Sequence, residues 1–413
     1  MPITREELKS VDKKVWLAVL VAALGYFVDI YDLLLFSIVR VQSLKDLGFQ
    51  EADLLSKGVL LINIQMAGLL IGGVLWGILG DLRGRLSVLF GSIIMYSAAN
   101  FLNGFVQNIE QYAVLRFIAG VGLAGELGAG ITLISEIMPK RIRGFGTTIV
   151  ASVGILGAVF GALLGDVVSW RTAYIIGGIM GFAILLLRVG VTESGMFHKA
   201  KKTASNRGNF FILFKSGDRF VKLLSCILIG VPIWYVVGIL LTFAPEFGKA
   251  MGMIDLPTAG KAVMYGYIGL SIGDLSSGLV SQYLESRKKA ILAFLIISTI
   301  GVALHLSLNH GATSTAGFYT TCVLMGIGVG YWAMFIQVAA EQFGTNIRST
   351  VTTSVPNFVR GAVIPLTAGF QYGSPRVGVV STAIILGLIT LSVTLTALWK
   401  LEESFHKDLD YHE

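Results

Sequence analysis

The sequence predicts an all-α membrane protein with twelve transmembrane helices in two pseudo-symmetric six-helix bundles. Three observations carry this expectation. Of 413 residues, 54% are hydrophobic and only 14% charged, where a soluble chain carries roughly a quarter charged residues. The apolar residues gather into runs of about 20, the length that crosses a hydrocarbon core of about 30 Å as a helix. The longest polar break, containing ESGMFHKAKKTASNRGN, leaves six such runs on either side. Backbone groups in lipid must be satisfied within the segment itself, so these runs read as helices.

The chain opens on the polar stretch MPITREELKSVDKK. It has neither the apolar h-region nor the small-residue cleavage site of a signal peptide, so the first span is expected to direct insertion itself. Spans follow at about 14–40, 56–80, 85–105, 110–137, 144–166 and 171–190, then at 220–247, 259–284, 289–308, 314–341, 349–371 and 377–400. Residues 1–190 are therefore expected to form the N-terminal bundle and 191–219 a cytoplasmic linker. Residues 220–413 would form the C-terminal bundle with a short cytoplasmic tail.

An even number of spans puts both termini on one side, and lysine and arginine choose that side. With the termini inside, 22 of the 32 basic residues fall in inner segments and 6 in outer loops; Arg40, Arg116, Arg188 and Arg360 are left inside spans or at their ends. The expected location is a bacterial-type inner (plasma) membrane, multi-pass, with both termini cytoplasmic. The net charge of +7 is then a topological signature rather than a nucleic-acid surface. Cys226 and Cys322 sit in apolar runs and read as packing residues. The five histidines show no metal-ligand spacing, and no phosphate-binding loop occurs. A hydrolase, a metalloenzyme and an ATP-driven pump are disfavoured; no catalytic residue, metal or cofactor is expected.

The two halves repeat. DLRGR at 81–85 aligns with ESRKK at 285–289, each after the second span of its half, and EIMPKRIR at 136–143 aligns with EQFGTNIR at 341–348, each at the inner end of a fourth span. Parallel six-span repeats are the sequence form of a rocking transporter.

GILGDLRGRLSVL at 77–89 resembles the loop signature of the major facilitator superfamily, Asp-x-x-Gly-Arg between spans two and three. LRFIAGVGLAGE at 115–126 resembles the family's fourth-span motif, with Arg116 at its arginine position. SEIMPKRIRG at 135–144 is similar to the Glu-x-x-Pro-x-x-x-Arg-Gly of sugar and metabolite porters, and SWRTAY at 169–174 to the Trp-Arg that starts the sixth span. GYFVDIYDLLLFS at 25–37 and GLAGELGAG at 122–130 resemble the metabolite/proton and aromatic-acid/proton symporter branches. Two departures stand out. Leu82 and Leu86 hold positions that are usually basic in the family's loop, and VGILGAVFGALLGD at 153–166 lacks the Gly-Pro pair of proton antiporters.

Ionisable groups inside a span cost about 3 kcal/mol or more, so each needs a partner, a wet cavity or a task. Asp29 and Asp32 are three residues apart, near one face of a helix. Two close carboxylates repel when both are ionised, so one shared proton relieves them; the alternative is that one aspartate caps an adjacent helix or pairs with Arg116. Glu126 is the third candidate for proton coupling, its alternative being a bond in a glycine-rich helix seam. Arg116 stands ten residues before Glu126, about 15 Å along the helix, so the two are not expected to pair. Arg360, between two prolines in VPNFVRGAVIP, is the leading candidate to hold an anionic substrate; the alternative is a salt bridge to Asp274. Arg116, Trp234, Tyr235, Tyr331, Trp332, Gln337 and Asn357 complete the expected substrate site; Arg116 reads equally as a structural partner of Asp29 or Asp32, and the aromatic residues also as packing. The resemblance implies a cytoplasmic gate of Asp81, Arg83, Arg85, Glu136, Arg143, Glu285, Arg287, Glu341 and Arg348, breakable ion pairs worth about 1 kcal/mol or less each when wet. Glycines 77, 80 and 84 would let the second and third helices approach and turn.

The expected function is proton-coupled symport of a small metabolite, an organic anion, by alternating access. The expected partners are that substrate, protons and the bilayer, and the expected unit is a monomer. The alternatives are an exporter, antiporter or uniporter of a zwitterionic or other small solute, and a transporter-like sensor.

Overall fold

The computed structural model describes residues 12–138, 143–189, 213–214, 216–308, 314–344 and 348–405. The predicted linker, 191–219, lies almost wholly outside them. Among the described residues, twelve membrane-length segments follow in order. The first six are α1 (Lys13–Asp46), α2 (Leu54–Arg83), α3 (Arg85–Asn103), α4 (Ile109–Leu123, then Glu126–Ile137), α5 (Arg143–Val167) and α6 (Trp170–Arg188). In the second half α7 runs from Gly217 to Ala250 in pieces, with a π-helical turn at Val236–Leu241. It is followed by α8 (Ala259–Leu284), α9 (Arg287–Leu306), α10 (Thr315–Val329, then Trp332–Glu341), α11 (Arg348–Gly361, then Val363–Val377) and α12 (Val379–Lys400).

Ten of these are long and apolar enough to cross a membrane by length and composition alone. The other two, α8 and α11, are the ones that pack across the middle of the molecule, α8 on α5 and α11 on α2. Many of their serines, threonines and glycines, among them Gly269, Gly273, Ser277, Ser354 and Thr367, are buried against neighbouring helices rather than lipid. The outward surface is apolar instead, with Leu186, Leu279, Ile254 and Trp399 largely exposed. Apolar exposure on that scale fits a lipid-facing wall.

Local chemistry sets the helix ends. Asp12, Asn108, Ser169, Thr258, Ser286 and Ser314 each accept a backbone N–H in the first turn of the next helix, which satisfies donors the helix cannot. Between α2 and α3 the chain reverses on Gly84 alone, at φ 102°, a conformation glycine adopts without strain. The matching turn between α8 and α9 uses Glu285 at φ 47°. Of the glycines expected to bring α2 and α3 together, Gly80 does face Val88 of α3. Gly77 instead faces Ser354 and Thr353 of α11 in the other half.

The pseudo-symmetry is visible in the packing. Helix α2 crosses α4 where Gly68 and Gly72 lie against the backbone of Phe117 and Val121. In the same way α8 crosses α10 where Gly269 and Gly273 lie against Val323 and Ile327. A side chain at any of the four would overlap a carbonyl oxygen, so small residues fix both crossings. The two ends of the bundle are distinguished by their turns: the near face carries the α2–α3 turn and the far face the α1–α2 turn.

Candidate functional site

The helix breaks build the site. In α10 the regular bonding fails at Gly330–Tyr331 and restarts at Trp332. Asp274 of α8 accepts the Ala333 N–H at 2.8 Å, capping the new helix start, where a negative charge is favoured. Tyr331 donates its hydroxyl to the Ile229 carbonyl at 2.9 Å. That fixes the break in α10 against the break in α7 and turns Trp332 and Trp234 toward the centre. With Tyr26, Ile30, Ile155, Ile233, Tyr267, Leu270 and Arg360 they line a central cavity with about 20 Å³ of open space, room for about one water.

Arg360 is the charge in this cavity. It is 1% exposed and lies with its guanidinium carbon 5.7 Å from the Trp332 ring centre. Its Nη1 donates to Asn357 Oδ1 at 3.4 Å. Its Nη2 is 3.5 Å from Asp29 Oδ2 on α1, an ion pair without hydrogen-bond geometry. Nε and Nη2, the edge of the guanidinium that grips a carboxylate in two-point fashion, have no hydrogen-bond partner. Neither do the indole N–H groups of Trp234 and Trp332. The expected alternative partner of Arg360, Asp274, is occupied as the α10 cap. Asn357 also donates to the Ala124 carbonyl at 2.9 Å, tying α11 to the break in α4 and so one half to the other.

The other expected residues separate into distinct places. Asp32 is buried beside Arg116 and Asn100 inside the N-terminal bundle, away from the cavity lining. Arg116 hydrogen-bonds Gln65 and lies over the rings of Phe36 and Tyr174. Glu126 forms a buried ion pair with Arg188, which also donates to the Leu89 carbonyl at 2.6 Å. Gly25 leaves the space this pair fills. Tyr235 lies outside the central cavity and donates to the Ala383 carbonyl at 2.7 Å, linking α7 to α12. Gln337 lies at the near face and donates to Glu341 at 2.8 Å.

Of the predicted gate, the side chains of Asp81, Arg85, Glu136, Arg143 and Arg348 lie outside the described residues, and Arg83 is exposed. Arg287 and Glu341 pair at 3.1 Å, with Ser404 donating to Glu341 at 2.7 Å and Arg287 Nη1 to Ser281 at 2.9 Å. Glu285 is the left-handed residue that ends α8.

The sequence left two arginines unassigned. One is Arg188, the partner of Glu126. The other is Arg40 near the far end of α1, which donates from Nη2 to both carboxylate oxygens of Glu246 in α7, at 2.6 and 2.8 Å. Arg40 is wholly buried, lies over the Phe243 ring and donates from Nη1 to the Leu54 carbonyl at 3.2 Å. This pair bridges the two halves on the far face. The available signal was the cost of a charge inside an apolar run, which marks the residue but not its partner.

Residues 15–368 match the family model described as Major Facilitator Superfamily. A putative metabolite transport protein of Haemophilus influenzae is 27% identical over 86% of this chain and 88% of its own length. The gentisate transporter of Corynebacterium glutamicum is 26% identical over 94% of this chain and 88% of its own. The solved structure of a D-xylose-proton symporter superposes with a TM-score of 0.72 at 16% identity, over 95% of this chain and 99% of that one.

Proposed function

The chain belongs to the major facilitator superfamily, and we propose that it imports a small aromatic carboxylate together with a proton by alternating access. The observation that carries this reading is the Nε/Nη2 edge of Arg360, which makes no hydrogen bond and meets only the Asp29 carboxylate at 3.5 Å, in a cavity walled by Tyr26, Trp234, Tyr267 and Trp332. A planar guanidinium matches a carboxylate in two-point geometry, and the aromatic walls suit a flat ring. The gentisate transporter among its relatives supports an aromatic acid, and the symporter of the same fold supports a proton.

Asp29 supplies the coupling in this account. When ionised it competes with the substrate for Arg360. When it holds a proton its charge is gone, and the guanidinium edge is left to the substrate carboxylate. One proton and one anion therefore load together. The lysine and arginine excess assigns the near face to the cytoplasm. Arg40–Glu246 then closes the outside, and Arg287–Glu341 belongs to the inside gate, while Glu126–Arg188 braces the N-terminal bundle. Binding calorimetry of purified protein against gentisate, benzoate, xylose and alanine tests the substrate class. Heat from the two carboxylates alone supports it, and heat from xylose or alanine alone refutes it.

A further inference from the structure

Asp32 does not belong to the substrate cavity. At 100° per residue it lies about 140° around α1 from the edge that Tyr26 and Ile30 present to that cavity. It looks instead into the core of its own bundle. There Gly177 of α6 leaves the space against its Oδ1, Asn100 of α3 faces it without reaching hydrogen-bond geometry, and Arg116 of α4 is its nearby cation.

This core is unusually rich in polar atoms without partners. Both oxygens of Asp32, both side-chain polar atoms of Asn100 and of Asn103, Nε and Nη1 of Arg116, and the Ser97 hydroxyl are buried with no hydrogen bond. All five residues are 0% exposed. Leaving so many buried polar atoms unsatisfied would cost about 1–3 kcal/mol each, a cost that bridging water would relieve. The atoms are also ordered along the membrane normal. Asn100 and Asn103 follow one face of α3 toward its far end, and from Tyr96 to Asn103 that face rises about 10 Å.

We propose that the N-terminal bundle contains a water-holding polar track, separate from the substrate cavity, that delivers protons from the far face to Asp32. The proposal rests on the proton-symport reading and adds the route by which the proton enters. A proton arriving at Asn103 passes along hydrogen-bonded water. Each hop breaks one O–H bond and forms the next, and the last O–H forms on an Asp32 carboxylate oxygen. Asp29, one turn nearer the near face, takes the proton from there. The titratable and charged groups facing Asp32 are Asp29 and Tyr31 on its own helix, Arg116 on α4, Tyr174 on α6 and Tyr96 on α3. Asn100 and Asn103 carry no proton themselves; they position the water.

The test follows one carboxyl group by infrared spectroscopy of the full-length protein in lipid. The acid C=O band that disappears in Asp32→Asn identifies Asp32, and its shift after exchange into heavy water times the arrival of deuterons. Asn100→Leu and Asn103→Leu are expected to slow that shift by roughly tenfold or more, while Ile155→Phe, which fills the substrate cavity, leaves it unchanged. Asn103 stands at a helix end, so its variant carries the test if Asn100→Leu fails to fold. An unslowed shift in the asparagine variants, slowing by Ile155→Phe, or no Asp32 acid band at any pH where the protein is folded would each overturn the track. The symport reading fails separately, if uptake by the unmodified protein ignores a pH gradient.

Discussion

In the proposed mechanism Arg360 and Asp29 divide the work that sequence spacing alone would give to Asp29 and Asp32 together. Their separation of 3.5 Å keeps the pair loose enough for a ligand to replace one partner. Arg360→Lys retains the charge but removes the two-point edge, so the dissociation constant for gentisate is expected to rise by roughly tenfold or more, about 1.4 kcal/mol. Calorimetry at fixed pH measures this, and an unchanged constant would make Arg360 a structural residue. Asn357 serves a different end, because its bond to the Ala124 carbonyl joins the halves. Asn357→Ala is expected to weaken binding less than Arg360→Lys while lowering the melting temperature more.

At the scale of helices, the proposed alternating-access cycle requires the far-face tie between α1 and α7 and the near-face tie between α9, α10 and the segment after α12 to release in turn. Glu246→Gln leaves the buried Arg40 without its counter-charge, and breaking a buried pair costs about 3 kcal/mol. The variant is therefore expected to populate the far-open state, read as faster labelling of a cysteine introduced beside the cavity by a membrane-impermeant reagent from the far side. Equal labelling rates would remove the pair from the gate. On the near face, Glu403 caps the start of α9. Partial burial alone would raise its carboxyl, but hydrogen bonds from Ser286 Oγ and from the N–H groups of Arg287, Phe405 and Lys288 hold it below the usual carboxylate range. A depressed value stabilises the docked segment above the ordinary glutamate range, near 4.3, and that support is lost as pH falls through the bound value. Residues 401–405 are thus expected to stay protected from proteolysis at neutral pH and to become cleavable in acid, with Glu403→Gln cleavable at both.

For the whole molecule, the sequence was legible where the physics is local or periodic. Run length fixed the spans, because the bilayer sets that length. The DLRGR and ESRKK turns marked the repeat, because each half needs the same reversal. What stayed hidden is pairing across long separations. Arg40 and Glu246 are 206 residues apart and meet only through the docking of two halves, and Glu126 finds Arg188 across 62 residues. Gly77 turned out to serve the seam between halves rather than the α2–α3 contact, which spacing along one helix cannot reveal. In the proposed account, Arg360 and the aromatic rings at the junction of the halves form an anion site, with the Asp29 carboxylate competing for the same cation. The most direct test is gentisate accumulation in proteoliposomes, with protein-free vesicles subtracted for passive entry of the acid. An inward tenfold proton gradient supplies about 1.4 kcal/mol, enough for about tenfold accumulation at one proton per substrate. Accumulation in the unmodified protein, abolished in Asp29→Asn while exchange of internal for external gentisate persists, is the predicted result; sodium-driven uptake indifferent to pH, or full accumulation in Asp29→Asn, would contradict it.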